Sequence, residues 1–134
     1  DKLFKMRLNI SERIRRCYER EGFQKQLKTQ EILGCDYATL HTHLVKTFED
    51  NYRVSYKPEY YFCLHIDHVT PLSVAKNEKD LYKLNHYTNL QLLYKKDNLN
   101  KGNKINWNLD LTQTEFYKEV GIEPPLKITE NEIG

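Results

Sequence analysis

Several absences narrow this sequence before any motif is read. Its three cysteines, Cys17, Cys35 and Cys63, are odd in number and contain no C-x-x-C pair. That argues against a disulfide framework or the usual zinc ribbon and fits reduced thiols in a cytoplasmic protein. No apolar run approaches the roughly 18 residues a membrane-spanning helix requires, and Asp1-Lys2-Leu3 opens no signal-peptide pattern. No membrane partner is therefore expected. There is no internal repeat and no low-complexity tract. An initiator Met is also missing, which suggests a trimmed chain or an excised domain, with any neighbouring domain outside this sequence.

What remains is ordinary for a globular chain. The 134 residues are 39% hydrophobic and 30% charged, with a somewhat high load of ten tyrosines. One domain accounts for that length, burying about two-thirds of the surface its unfolded form exposes.

The net charge of +2 conceals an uneven distribution. Residues 2 to 28 carry nine Lys and Arg against three Glu, and residues 83 to 104 carry five Lys against Asp97. After residue 104, two Lys face six acidic residues. Two basic stretches and an acidic tail suit a polyanion that touches the first two regions and avoids the third. The competing account of Arg13, Arg15, Arg16 and Arg20 is a solvated helix face.

Punctuation and periodicity divide the chain into a helical, basic part (1 to 58), a core of two strands and a helix (59 to 106), and a C-terminal helix with an acidic tail (107 to 134). Ser11 reads as an N-cap for a helix with Ile14, Cys17 and Tyr18 on one stripe, stopped at Gly22. Thr29 reads as the cap of a short helix ending at Gly34. Asp36 caps a third helix, with Leu40, Leu44 and Phe48 along its buried edge. Residues 49 to 58 read as a surface connection.

Residues 61 to 69 then alternate, with Phe62, Leu64 and Ile66 on one face and Cys63, His65 and Asp67 on the other, until Thr70-Pro71 ends the strand. Residues 77 to 84 suit a helical turn or two, and residues 90 to 94 suit a second strand. Residues 95 to 104 suit a short basic helix beginning near Asp97. Thr112 and Glu115 form a capping box for a last helix, residues 113 to 120, before Gly121. The predicted class is α+β, mainly helical, with a two-stranded sheet and a helix at its centre.

His65-Ile66-Asp67-His68 gathers proton-transferring and metal-capable groups at a strand end. Adjacent residues point apart on a regular strand, but a bend at Thr70-Pro71 lets Asp67 and His68 serve one site. Asp67 would offer a hard oxygen to Mg²⁺, and His68 an imidazole able to deprotonate water near neutral pH. Alone, the cluster equally fits hydrogen-bonded polar residues or a zinc site.

Downstream, Asn89 opens the second strand and Asn98 follows nine residues later on the basic helix. His68, Asn89 and Asn98, set in HIDHVTPL, HYTNLQLLY and DNLNKGNK, resemble the HNH, or ββα-metal, nuclease motif in the variant whose third member is Asn. The likeness covers residues 63 to 104. The preceding TQEILGCDYATLHTHLVKTFE is similar to the helical lead-in of phage and prophage HNH endonucleases. Many of these carry a tryptophan before the HIDH string, where this chain has Leu64. Others hold a structural zinc through two C-x-x-C pairs, which this chain lacks, so no structural zinc is expected.

The resemblance implies a DNA endonuclease in which Asp67 and Asn98 hold one divalent metal, Mg²⁺ or an ion such as Mn²⁺. It makes His68 the general base and Asn89 the residue that orients the His68 loop. His65 would reach the phosphate or hydrogen-bond within the site. The implied partner is duplex DNA, with RNA left open. Its phosphates would meet Arg13, Arg15, Arg16 and Arg20 and also Lys95, Lys96, Lys101 and Lys104, although Lys101 near a helix end also suits a merely solvated lysine. One such site cuts one strand, so a double-strand break implies a homodimer or two nicks.

Two other functions stay open from sequence: a DNA-binding module without turnover, and a structural zinc protein using Cys63, His65 and His68. Asn100 is the fallback ligand should the helix register differ. His86 reads as structural, and His41 and His43, two apart on a helix, cannot share a face. Tyr52, Tyr56, Tyr60 and Tyr61 could stack on bases or pack into the core.

Overall fold

Met6, Ile10, Ile14, Cys17 and Tyr18 recur at helical spacing and are all buried. They form the inner face of α1 (Lys2–Arg20). The computed structural model describes residues 2–23, 25 and 27–125, the side chains of 2–4 excepted, so the end of the acidic tail lies outside it. Because the apolar stripe continues upstream to Met6, α1 does not start at Ser11. That residue sits mid-helix, its hydroxyl accepting from Thr29 Oγ1 at 2.9 Å.

Thr29 is correspondingly buried at the start of α2 (Thr29–Leu33), and Lys28 takes the cap position, its N–H donating to Glu31 Oε1 at 3.1 Å. Gly34 ends α2 at φ 76°, with the His86 ring so close that an added Cβ would lie 2.5 Å from Nε2. Only glycine meets both demands.

The helix capped by Asp36, whose carboxylate accepts from Thr39 N–H at 2.8 Å, is α3 (Tyr37–Tyr52). It runs past residue 48 because Tyr52 extends the buried stripe of Leu40, Leu44 and Phe48. The first strand is shorter than its alternation suggests. Pro58–Cys63 winds as a 3₁₀ helix, which turns Phe62 out, 70% exposed, and Cys63 in.

β1 (Leu64–His68) pairs antiparallel with β2 (Leu90–Tyr94), placing Leu64 opposite Tyr94, Asp67 opposite Gln91 and His68 opposite Leu90. Between the strands lie a 3₁₀ turn at Leu72–Val74, α4 (Glu78–Leu84) capped by Asn77, and a 3₁₀ turn at Tyr87–Asn89. Asn89 therefore closes that turn instead of opening the strand. α5 (Lys95–Lys101) follows β2 without a gap, with Tyr94 at its cap. α6 (Phe116–Val120) begins three residues later than its capping-box pattern implies. Thr112 turns back on Asp110, and Thr114 instead accepts from Phe116 N–H at 3.2 Å. Among the described residues no helix is long and apolar enough to cross a membrane.

A two-stranded sheet leaves β2 with an open edge, and α3 closes it. His43 Nε2 bonds Leu90 O at 2.9 Å, Thr47 Oγ1 accepts from Leu92 N at 3.1 Å, and Tyr52 Oη accepts from Tyr94 N at 2.8 Å. Four or five residues of helix rise about 6 to 7.5 Å and two residues of strand about 6.7 Å, so successive helical turns meet successive outward-facing backbone groups. Below this seam Phe116 contacts Phe48, Tyr52 and Tyr60 at centroid distances of 5.4, 4.9 and 5.5 Å. Tyr52 and Tyr60 thus pack the core, Tyr56 lies half-buried against Phe48, and Tyr61 lines a surface cleft.

Asp97, expected to cap α5, is instead buried in its first turn and accepts from Tyr52 Oη at 2.8 Å and Thr114 Oγ1 at 2.6 Å. Burial raises its carboxyl above the ordinary value, against the lowering effect of those two bonds. A raised folded-state value contributes stability that is full below the unfolded pKa and lost as pH rises through the folded one. Asp97→Asn should therefore gain urea resistance relative to wild type at neutral pH and show no gain below about pH 4. Urea midpoints at the two pH values check this, and an Asp97→Asn chain weakened equally at both would refute it.

Candidate functional site

At the end of β1, Asp67 and His68 line one open cleft of about 440 Å³ together with Asn98 from α5 and Arg13 and Arg20 from α1. Asn103, which sequence reading did not single out, joins them. Strand alternation would part Asp67 from His68, yet both reach this cleft because the strand ends there and the chain turns away toward Pro71.

Asn89 makes the turn that follows. Its Nδ2 donates to Thr70 O at 3.0 Å and Leu84 O at 2.8 Å, and its Oδ1 accepts from Thr70 N at 2.9 Å. Its own carbonyl accepts from Val69 N at 2.8 Å. Asn89 thus clamps the two residues after His68 without lining the cleft.

Asp67 is held by two side chains. Its Oδ2 accepts from Gln91 Nε2 at 2.9 Å, and Gln91 Oε1 accepts in turn from Asn51 of α3 at 3.1 Å. Lys101 Nζ approaches the same carboxylate at 3.3 and 3.4 Å while donating to His68 O at 2.9 Å. Lys101 is 2% exposed, which overturns both expectations for it: it is neither a solvated lysine nor placed to touch a phosphate.

His68 Nε2 lies 2.8 Å from Asn85 Oδ1. Burial lowers the pKa of His68 below the usual imidazole value, aided by Arg13 and Lys101, against the raising effects of Asn85 and Asp67. The ring is accordingly neutral, a proton acceptor, at physiological pH. His65 is exposed, its Nδ1 3.4 Å from Asn98 Nδ2, and burial with Arg13 and Lys95 also lowers it. It lines a neighbouring cleft with Tyr61, Phe62 and Arg16.

The basic residues divide. Arg13 lines both clefts and donates to Ile66 O. Arg15 is tied to Glu12 and Glu19, and Arg16 to Glu12 at 3.2 Å. Lys95 pairs with Glu119 at 3.1 Å and Lys96 with Glu115 at 3.4 Å, so the acidic C-terminal segment touches the second basic stretch. Lys104 donates to Asn100 O at 3.1 Å, and neither residue lines the cleft.

Cys63 is fully buried and its thiol points to Tyr60 O, while His68 is engaged by Asn85. Among the described residues no three His, Cys, Asp or Glu side chains gather where they could hold a metal. A zinc set of Cys63, His65 and His68 is thus not assembled. For Mg²⁺ the cleft could offer one carboxylate, Asp67, and one amide oxygen, that of Asn98. A set that small suits an ion that keeps several waters. Lys101 and Gln91 leave lone pairs free on Asp67, since a carboxylate offers about four.

No protein-family model, curated protein or solved structure matches this chain, so the site is read from its own geometry.

Proposed function

We propose that this chain is a metal-dependent endonuclease of the HNH, ββα-metal type, in which β1, β2 and α5 form the catalytic core. The observation that carries the reading is that Asp67, His68 and Asn98 line one cleft with Arg13 and Arg20. Hard oxygen ligands, a neutral imidazole and two guanidinium groups meet there, the set that phosphodiester hydrolysis needs.

In this reading duplex DNA is the substrate and the cytoplasm the setting. The two arginines hold a backbone phosphate, and His68 accepts a proton from the water that attacks phosphorus. As the P–O3′ bond breaks, the departing 3′ oxygen takes a proton from solvent, leaving a 5′ phosphate and a 3′ hydroxyl. Asp67 and Asn98 would hold Mg²⁺ or Mn²⁺, which supplies charge stabilisation for the phosphate and the leaving oxygen. Asn89 keeps the His68 turn in place, and Lys101 and Gln91 fix the Asp67 carboxylate. A second copy, or a second nick, completes a double-strand break.

The test is incubation of the full chain with supercoiled plasmid, in Mg²⁺ or Mn²⁺ and in EDTA, with a structured RNA alongside. Metal-dependent nicking of the plasmid is expected. A plasmid that is shifted on a gel but never cut would leave a DNA-binding module without turnover.

The arginines provide a separate check. Arg20→Gln should weaken DNA binding and reduce the slope of log K against log salt by about one. Arg15→Gln, which removes a residue already engaged by Glu12 and Glu19, should leave affinity within about twofold. Equal losses from the two would return α1 to a diffuse basic face.

A further inference from the structure

Asn85 occupies the C-cap of α4, 1% exposed, and its backbone N–H and side-chain Nδ2 both donate to Leu81 O at 3.0 Å. A carbonyl oxygen can only accept, so the face of the amide toward Leu81 must be the NH₂. The same NH₂ lies 4.0 Å from Cys17 Sγ of α1. The other face, Oδ1, then points at His68 Nε2, 2.8 Å away. That oxygen also can only accept, so Nε2 must carry a proton. In a neutral imidazole one nitrogen is N–H and the other holds the lone pair. The lone pair is therefore on Nδ1, and among the described residues Nδ1 makes no hydrogen bond.

We infer that Asn85 is the positioning residue of the site, fixing both the ring orientation of His68 and its tautomer so that Nδ1 is the basic nitrogen. This rests on the reading of His68 as the base and deepens it by naming the atom. The logic is that of a base oriented by a third group. Here the orienting group is a neutral amide, locked in turn by a helix carbonyl. Reversing the amide would set Oδ1 against Leu81 O and leave two buried acceptors facing each other, which keeps the assignment single-valued.

The tautomer is measurable without turnover. In the ¹⁵N-labelled full chain, long-range proton–nitrogen spectra above the titration of His68 should show Nε2 protonated and Nδ1 bare, with the Nε2 proton shielded from exchange. A bare Nε2 and a protonated Nδ1 would overturn the proposal, and this reading needs no variant.

Asn85→Leu should lose the shielded Nε2 proton and lower kcat for plasmid nicking about 10- to 100-fold, with KM within twofold. Unchanged kcat in a folded Asn85→Leu chain would also overturn the assignment. If His68→Ala nicks like wild type, the reading of His68 as the base fails while the nitrogen spectra still report the Asn85 contact.

Discussion

Lys101→Met is expected to destabilise the folded chain by about 3 to 5 kcal/mol, the range for stranding one member of a buried ion pair. The lysine is 2% exposed and Asp67 7%, and the ammonium lies within 3.3 and 3.4 Å of the two carboxylate oxygens. Removing it leaves a largely buried carboxylate without its cation and takes from the His68 carbonyl its one side-chain donor among the described residues. Gln91 still donates to Asp67, and Arg13 still places positive charge nearby, so the loss should fall at the lower end of that range.

Lys96→Met supplies the contrast. Lys96 pairs with Glu115 at 3.4 Å at the surface, and exposed pairs of this kind are worth about 0 to 1 kcal/mol. Urea unfolding of both variants distinguishes the two cases. Asp67→Asn placed on the Lys101→Met background should recover part of the loss, because the stranded charge is then gone. Equal midpoints for the Lys101 and Lys96 variants would mean that the pair is not buried in solution.

The burial of Lys101 marks the limit of what the sequence discloses. Local signals are well read: Asp36 caps α3, Leu40, Leu44 and Phe48 face inward, and residues 90 to 94 form a strand, because each depends on neighbours within a turn or two. That Asp67, His68 and Asn98 line one cleft was anticipated through the likeness of their strings to a known motif, not from spacing alone. Residues whose surroundings are set by distant segments were not. A lysine one turn after Asn98 looks solvated until β1 is known to lie beneath it, and Asn85 looks like an ordinary helix end until His68 is brought 2.8 Å away. Gln91 did leave a trace, as the lone polar residue inside Leu90–Tyr94 apart from the tyrosine hydroxyl, and its partner across the sheet is Asp67. Ser11 misled because a good capping residue counts for less than two further turns of buried Met6 and Ile10.

His68→Ala is expected to lower kcat for plasmid nicking about 10²- to 10⁴-fold, the usual contribution of a positioned general base, while DNA affinity in the presence of metal stays within about twofold. The separation follows from what lines the cleft. In the proposed reading Arg13 and Arg20 would attract phosphate, Asp67 and Asn98 would supply the oxygen donors, and His68 would be the neutral proton acceptor among them. Deleting the imidazole therefore removes proton transfer and little binding. Glu21 also lines the rim and is the rival base, so Glu21→Gln is the matched control and should nick at the wild-type rate. Single-turnover nicking measured beside gel-shift affinity checks both halves. If Glu21→Gln is the silent variant and His68→Ala the active one, the base belongs to the turn that ends α1 and the nuclease reading must be rebuilt around it.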